Sequence, residues 1–328
     1  MVRSRVIVMT AWTFIIVGGG LTRVRPAVAQ PEGCEPLESV APFTPWAERV
    51  LETEGLPRGM TAVDIEADSD ADVLTLHGET SFAEEGVLRV HRNTCVGDYF
   101  EAAEAYEVPN DPIQLFAADL TGDERPEVAI ISGSSFYETP FTLRIYINDG
   151  EGNFEDPQDF SLGTIGGAGP RSVFAADLDE DSDREVICCG NNQSGQFVAI
   201  AWNRWDEVTN DFDLQIYDLT NTNAPLIVTC ADMDQQDGVD VIVGAQQSAF
   251  PPSGIAYVFL NQGGDAGGSH STRFVFNAAA DDSLGGLGPP AGSLAAGAFN
   301  DDSYPDLAWC ARTATSTSMM LSASLTRC

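Results

Sequence analysis

Five times along the chain an apolar run gives way to a nine-residue acidic loop and then resumes as a second apolar run. The copies are Thr61–His77, Leu115–Ser132, Val173–Gly190, Val228–Gly244 and Leu294–Cys310, and their loops open at Asp64, Asp119, Asp177, Asp232 and Ala298. Successive loops are 55, 58, 55 and 66 residues apart. That period is too long for leucine-rich or ankyrin repeats and suits a unit of four β-strands. Each unit goes on into a third strand and a turn. Leu143–Gln158 is the clearest, an alternating run that breaks at Asn148-Asp149-Gly150-Glu151-Gly152 before a fourth strand. A glycine-rich turn between alternating apolar runs is a hairpin signal. Runs from Val198 and from Tyr257 repeat the pattern, and helical periodicity is almost absent beyond residue 29. The fold class expected is all-β, a β-propeller of four-stranded blades.

Numbering each loop from one to nine puts oxygen donors at positions one, three, five and nine. The first loop offers Asp64, Glu66, Asp68 and Asp72, and the second Asp119, Thr121, Asp123 and Glu127. The third offers Asp177, Asp179, Asp181 and Glu185, and the fourth Asp232, Asp234, Gln236 and Asp240. The fifth lacks an acid at Ala298 and retains Asn300, Asp302 and Asp306. Alternate residues of a tight loop can turn their carboxylates to one centre, where they would repel one another without a cation. A hard ion of calcium size accepts six to eight such oxygens. An EF-hand is excluded, because it needs a glutamate at position twelve and flanking helices. Position twelve here is Thr75, Ile130, Cys188, Val243 or Trp309, inside strand-like runs. About four to five Ca2+ sites are expected, the fifth weak or empty.

These segments resemble FG-GAP/VCBS repeats, the kind that builds the integrin α-chain propeller. Asp119–Glu127, Asp177–Glu185 and the Val241–Gln246 run stand where that family has its acidic loop and its Gly-Ala-Pro-like turn. The resemblance covers about residues 43–325. It implies a glycine at position six, where this chain has Ser69, Glu124 and Ser182, and Asp237 in the fourth loop. It also implies recognition loops at the opposite end of the blades, which would use Phe136, Tyr137, Asn191, Asn192, Gln246 and Phe250.

Residues 43–60 resemble the stretch before the third acidic loop, so the chain is expected to begin with a fourth strand and to end with three. The N-terminal strand would then complete the last of five blades, sparing the ring its exposed edges. A fragment of a seven-bladed ring is the alternative. Cys34 and Cys328 would meet at the closure as a disulfide in an oxidising compartment, with Cys95 the competing partner for Cys34. Cys188, Cys189, Cys230 and Cys310 fall within apolar strands and read as small buried hydrophobes.

Residues 1–29 read as an export signal: Arg3 and Arg5, an apolar run from Val6 to Val17, and the small-residue site Ala27-Val28-Ala29. That run is too short for a comfortable membrane span. A linker of residues 30–42 would lead into one propeller domain, 43–328, secreted or held at the cell surface or in the periplasm, and monomeric. The chain has 50 acidic residues against 16 arginines and no lysine, a net charge of −34. Such a charge argues against nucleic-acid binding, which needs a basic face. No catalytic motif stands out: His77, His91 and His270 lack zinc spacing, and no nucleophile elbow or phosphate loop occurs. The chain therefore reads as a non-catalytic binding or adhesion module for a protein or glycan. A polysaccharide hydrolase or lyase and a purely structural surface protein are the alternatives.

Overall fold

The computed structural model describes residues 55–78, 86–94, 100–154, 157–204, 211–219, 224–247, 253–263, 273–276, 282–285, 291–299, 304–312 and 317–321. The first sheet is a meander of β1 (Leu56–Val63), β2 (Asp72–Gly78), β3 (Gly86–His91) and β4 (Glu104–Val108). The second takes β5 (Pro112–Ala118), β6 (Glu127–Ser134), β7 (Thr139–Tyr146) and β8 (Gln158–Ser161). The third takes β9 (Gly169–Ala176), β10 (Glu185–Asn192), β11 (Gly195–Asn203) and β12 (Phe212–Asp218). The fourth takes β13 (Ala224–Ala231), β14 (Asp240–Gln247), β15 (Ser253–Phe259) and β16 (Asp282–Gly285). The fifth has three strands, β17 (Ala291–Gly297), β18 (Asp306–Arg312) and β19 (Thr317–Leu321). Every pairing is antiparallel between neighbours in sequence, and the described residues contain no helix.

These sheets are propeller blades. The first strand of each stands beside the first strand of the next: β1 by β5, β5 by β9, β9 by β13 and β13 by β17. The second strands are sandwiched between blades, which is why they read as continuous apolar runs; β10 is buried almost throughout. The outer strands touch a neighbour on one face only and alternate, as in the half-buried, exposed pattern of β8. Within β10 the period of two sends Val186 and Cys188 to the core shared with β6 and β7, while Ile187 and Cys189 enter the core shared with β14 and β15. The adjacent cysteines thus serve separate cores as small apolar side chains, and burial raises both thiol pKa values, that of Cys188 to about 12.

A core fills each of the four gaps between blades. Leu74, Leu76, Leu88 and Val90 meet Val128 and Ile130 in the first gap. In the last, Trp309 of β18 lies on β14 and β15, where two glycines make room for it. A Cβ at Gly244 would stand 2.9 Å from the indole, and one at Gly254 2.4 Å. The proposed closure by residues 43–60 and a Cys34–Cys328 bridge lies outside the described residues, except for Gly55 and for Leu56–Met60, which open β1. The export signal and Cys95 also lie outside them.

Candidate metal centres

Every acidic loop joins the first and second strands of its blade. The acid at position nine opens the second strand and faces inward: Asp72, Glu127, Glu185 and Asp240 are 0% exposed and Asp306 is 7%. Each accepts a hydrogen bond from the backbone N–H of position two, and this bond closes the loop. The donors are Ile65 (2.9 Å), Leu120 (2.7 Å), Leu178 (2.7 Å), Met233 (2.7 Å) and Phe299 (3.0 Å). In the first four loops the side chain at position two is buried with it, whereas Phe299 is 53% exposed.

The acid at position one shapes the first half of the loop. Asp119 accepts from the amides of Gly122 and Glu124, Asp177 from those of Glu180 and Ser182, and Asp64 from those of Asp68 and Ser69. To present these amides, positions four and six turn left-handed. Position four is Ala67, Gly122, Glu180 or Gln235, with φ between 56° and 76°. Position six is Ser69, Glu124, Ser182 or Asp237, with φ of 78°, 68°, 86° and 54°. The glycine implied by the family resemblance at position six is thus missing, while the backbone that favours it is present, at roughly 1–2 kcal/mol for each L-residue held there.

The loops diverge in where their acids point. In the third, carboxylate oxygens of Asp177, Asp179 and Glu185 lie within 4.8 Å of one another; in the fourth, those of Asp232, Asp234 and Asp240 do so. Each group holds a buried oxygen with no hydrogen-bond partner, Oε1 of Glu185 and Oδ1 of Asp232. Burial chiefly, with neighbouring carboxylates adding to it, raises the pKa of Glu185 to about 9 and of Asp240 to about 6. Three carboxylates so close repel one another, and a divalent cation fits among them. Gln236 at position five is exposed, and its amide N–H donates to Asp234 Oδ1 at 3.0 Å. Asp181, at position five of the third loop, accepts from the amide of Asp183 at 3.0 Å.

The first two loops do not gather three carboxylates in this way among the described residues. Glu66 is drawn aside to Arg92 Nε at 2.8 Å, and Arg92 goes on to Glu104 and the carbonyl of Gly152. In the second loop Thr121 stands at position three and donates from Oγ1 to Glu127 at 3.4 Å, while the carboxylate of Asp123 at position five caps the amide of Arg125 at 2.9 Å. Burial raises the Glu127 pKa to about 7. In the fifth loop Asn300 and Asp302 lie outside the described residues.

Sequence reading missed a set of residues that tie these loops together. Asn203 ends the third strand of its blade and Asn148 and Asn261 lie just past theirs, and each donates from Nδ2 to the position-two carbonyl of the preceding blade's loop. The acceptors are Ile65, Leu120 and Leu178, each 83 residues upstream. The same amides donate at 3.2 Å to the position-eight carbonyls of their own loops, Pro126, Arg184 and Val239. The signal was present as an asparagine recurring at or just past the end of the third strand in the first four blades (Asn93, Asn148, Asn203 and Asn261), where it reads only as a turn former. Arg273, just 2% exposed, adds donors to the carbonyls of Leu178 and Asp179 over the third loop.

At the other end of the blades, Phe136 is 83% exposed and packs edge-to-face on Tyr137 with ring centroids 4.9 Å apart. Asn191 and Asn192 are engaged in the fold: Asn191 Oδ1 accepts from Ala168, and Asn192 donates to the Leu162 carbonyl and caps Ser194. Gln246 is half-buried at the end of β14, and Phe250 lies outside the described residues. Among the described residues no helix is long and apolar enough to cross a membrane.

Residues 119–188 match a family described as FG-GAP-like repeat. The match runs from position one of the second loop into β10 and so takes in the whole of the second and third loops. No curated protein matches the chain.

Proposed function

We propose that this FG-GAP-like repeat chain is an exported, calcium-loaded β-propeller that serves as a non-catalytic binding or adhesion module for a protein or glycan. The observation that carries the reading is the pair of three-carboxylate groups in the third and fourth loops, each with a buried, unpartnered oxygen. Their donors are all oxygens, with no imidazole or thiolate among them, which favours a hard cation over zinc. Calcium bound there would relieve the repulsion among the carboxylates and draw the two ends of each loop together. Asp177, Asp179 and Glu185 would hold one ion and Asp232, Asp234 and Asp240 another, helped by backbone carbonyls. The other loops contribute sites to the extent that Glu66 and Asp123 turn inward.

The acidic loops then act as braces, leaving recognition to the far end of the blades. The exposed Phe136, backed by half-buried Tyr137 on the β6–β7 turn, suits a sugar face or an apolar protein anchor. Calorimetric titration of the full chain with calcium, followed by thermal unfolding with and without chelator, tests the metal reading. At least two binding events and a large rise in melting temperature are expected, and neither appearing would sink it. A panel of soluble glycans and extracellular proteins, assayed with the parent chain and Phe136→Ala, tests recognition. A saturable ligand lost in that variant is the expected result.

A further inference from the structure

The residue before the recurring asparagine is Ile147, Trp202 or Leu260 in the second, third and fourth blades, and each packs into the core shared with the following blade. The first blade has Arg92 there. A guanidinium at an apolar position is costly unless oxygens meet it. Here four do. Its Nε lies 2.8 Å from Glu66 and its Nη1 2.9 Å from Glu104, while Nη2 donates to the Gly152 carbonyl at 2.8 Å and to Asn153 Oδ1 at 3.1 Å. These partners come from the first acidic loop, from β4 and from the β7–β8 turn of the second blade. That turn approaches so closely that a Cβ at Gly152, where φ is 81°, would stand 3.2 Å from Glu66 Oε2. The remaining acids of the first loop also have donors. Asp64 accepts from the amides of Asp68 and Ser69, Asp68 from that of Asp70, and Asp72 from those of Ile65 and Asn93. None of the four keeps a buried oxygen without a partner, in contrast to Glu185 and Asp232 in the third and fourth loops.

We propose that Arg92 is the first loop's own cation. It binds the position-three acid and the neighbouring blade in place of an ion, so the first loop holds its shape without calcium while the third and fourth depend on it. The inference rests on the calcium reading for those later loops. A guanidinium can serve because it is permanently charged and carries five N–H donors in one plane, enough to gather oxygens from three segments. Calcium gathers the same class of donor. Arg273, over the third loop, donates to backbone carbonyls, and the three carboxylates there still converge. Withdrawal of calcium should therefore loosen the molecule unevenly, in the third and fourth blades first, and leave the joint between the first two closed.

The test is hydrogen exchange of the full chain, read by mass spectrometry on the segment around each loop, with saturating calcium and with chelator. Chelation should speed exchange roughly tenfold or more across residues 174–187 and 229–242, and less than about twofold across residues 61–74. Arg92→Met should make the first segment behave like the others: faster exchange with chelator, slowed again by calcium once the freed Glu66 can turn to an ion. An arginine that served packing alone would leave a loosened segment that calcium does not restore, and that result overturns the proposal. So does calcium protecting the first loop of the parent chain as strongly as the third, a measurement that needs no variant to fold. The two readings fail separately. A parent chain that binds no calcium brings down the calcium reading and this inference with it, whereas equal protection of all loops by bound calcium overturns this inference alone.

Discussion

The first and third acidic loops have the same length, an acid at all four donor positions and the same hydrogen bond from position two to position nine. Only the third brings three carboxylates to one point. The difference lies outside the loops. In the first blade Arg92 holds the position-three acid to one side, at the place where the later blades carry Ile147, Trp202 and Leu260. A row of donors in register therefore converges on one point, as a candidate cation site must, only where no internal cation has already taken one of the acids. In the fourth loop an amide at position five does not disturb the convergence, because Asp232, Asp234 and Asp240 suffice.

The sharpest way to break the comparison is pH in the absence of calcium. Glu185, Glu127 and Asp240 have folded pKa values raised to about 9, 7 and 6, so the folded chain holds protons that the unfolded chain releases. Their stabilising contribution is full below the unfolded carboxylate range and is lost as pH climbs through each folded value. The apo protein should therefore become more stable between about pH 9 and pH 5, and calcium should flatten that slope. Urea melts across this range with chelator present, then with calcium, would check it. An apo stability that rises with pH over the window would contradict it.

Substitutions come next in size. Glu185→Gln and Asp232→Asn should each remove one calcium-binding event and its stabilisation, about 2.7 kcal/mol when calcium stands 100-fold above Kd. Glu66→Gln should leave the calorimetric count unchanged, while Arg92→Met, by releasing Glu66, should raise it. Asn261→Ala removes the side-chain donor to the Val239 carbonyl and leaves the Leu178 carbonyl only Arg273 at 3.4 Å, and should cost roughly 1–3 kcal/mol in denaturant unfolding. The smallest effect runs the other way. Glu124→Gly relieves a left-handed residue and should stabilise the chain by about 1 kcal/mol.

Much of this architecture can be read in the residues. Strand–loop–strand recurrence marks the hairpins, and the acids at position nine lie where the sequence places them, each opening a second strand. Those features are local, set by patterns within some ten residues. What escaped reading depends on neighbours distant in the chain. Nothing in Glu66 announces Arg92, 26 residues away and beyond a second hairpin. Nothing in Asn261 announces Leu178 in the blade before. The left-handed turn at position six was legible only through the family resemblance, since Glu124 and Asp237 are poor advertisements for it.

Asn261 has a consequence that a static contact leaves implicit. It donates to position two of the third loop and position eight of the fourth, and its own amide N–H meets Asp240 at 2.8 Å. One residue therefore leans on both candidate centres, and tightening either loop moves the support of the other. If cations occupy both, two such sites would not fill as independent wells. They would share a free energy of coupling that acts equally in both directions, and with the same clasp repeated at Asn148 and Asn203 it would pass from neighbour to neighbour as in a one-dimensional cooperative chain.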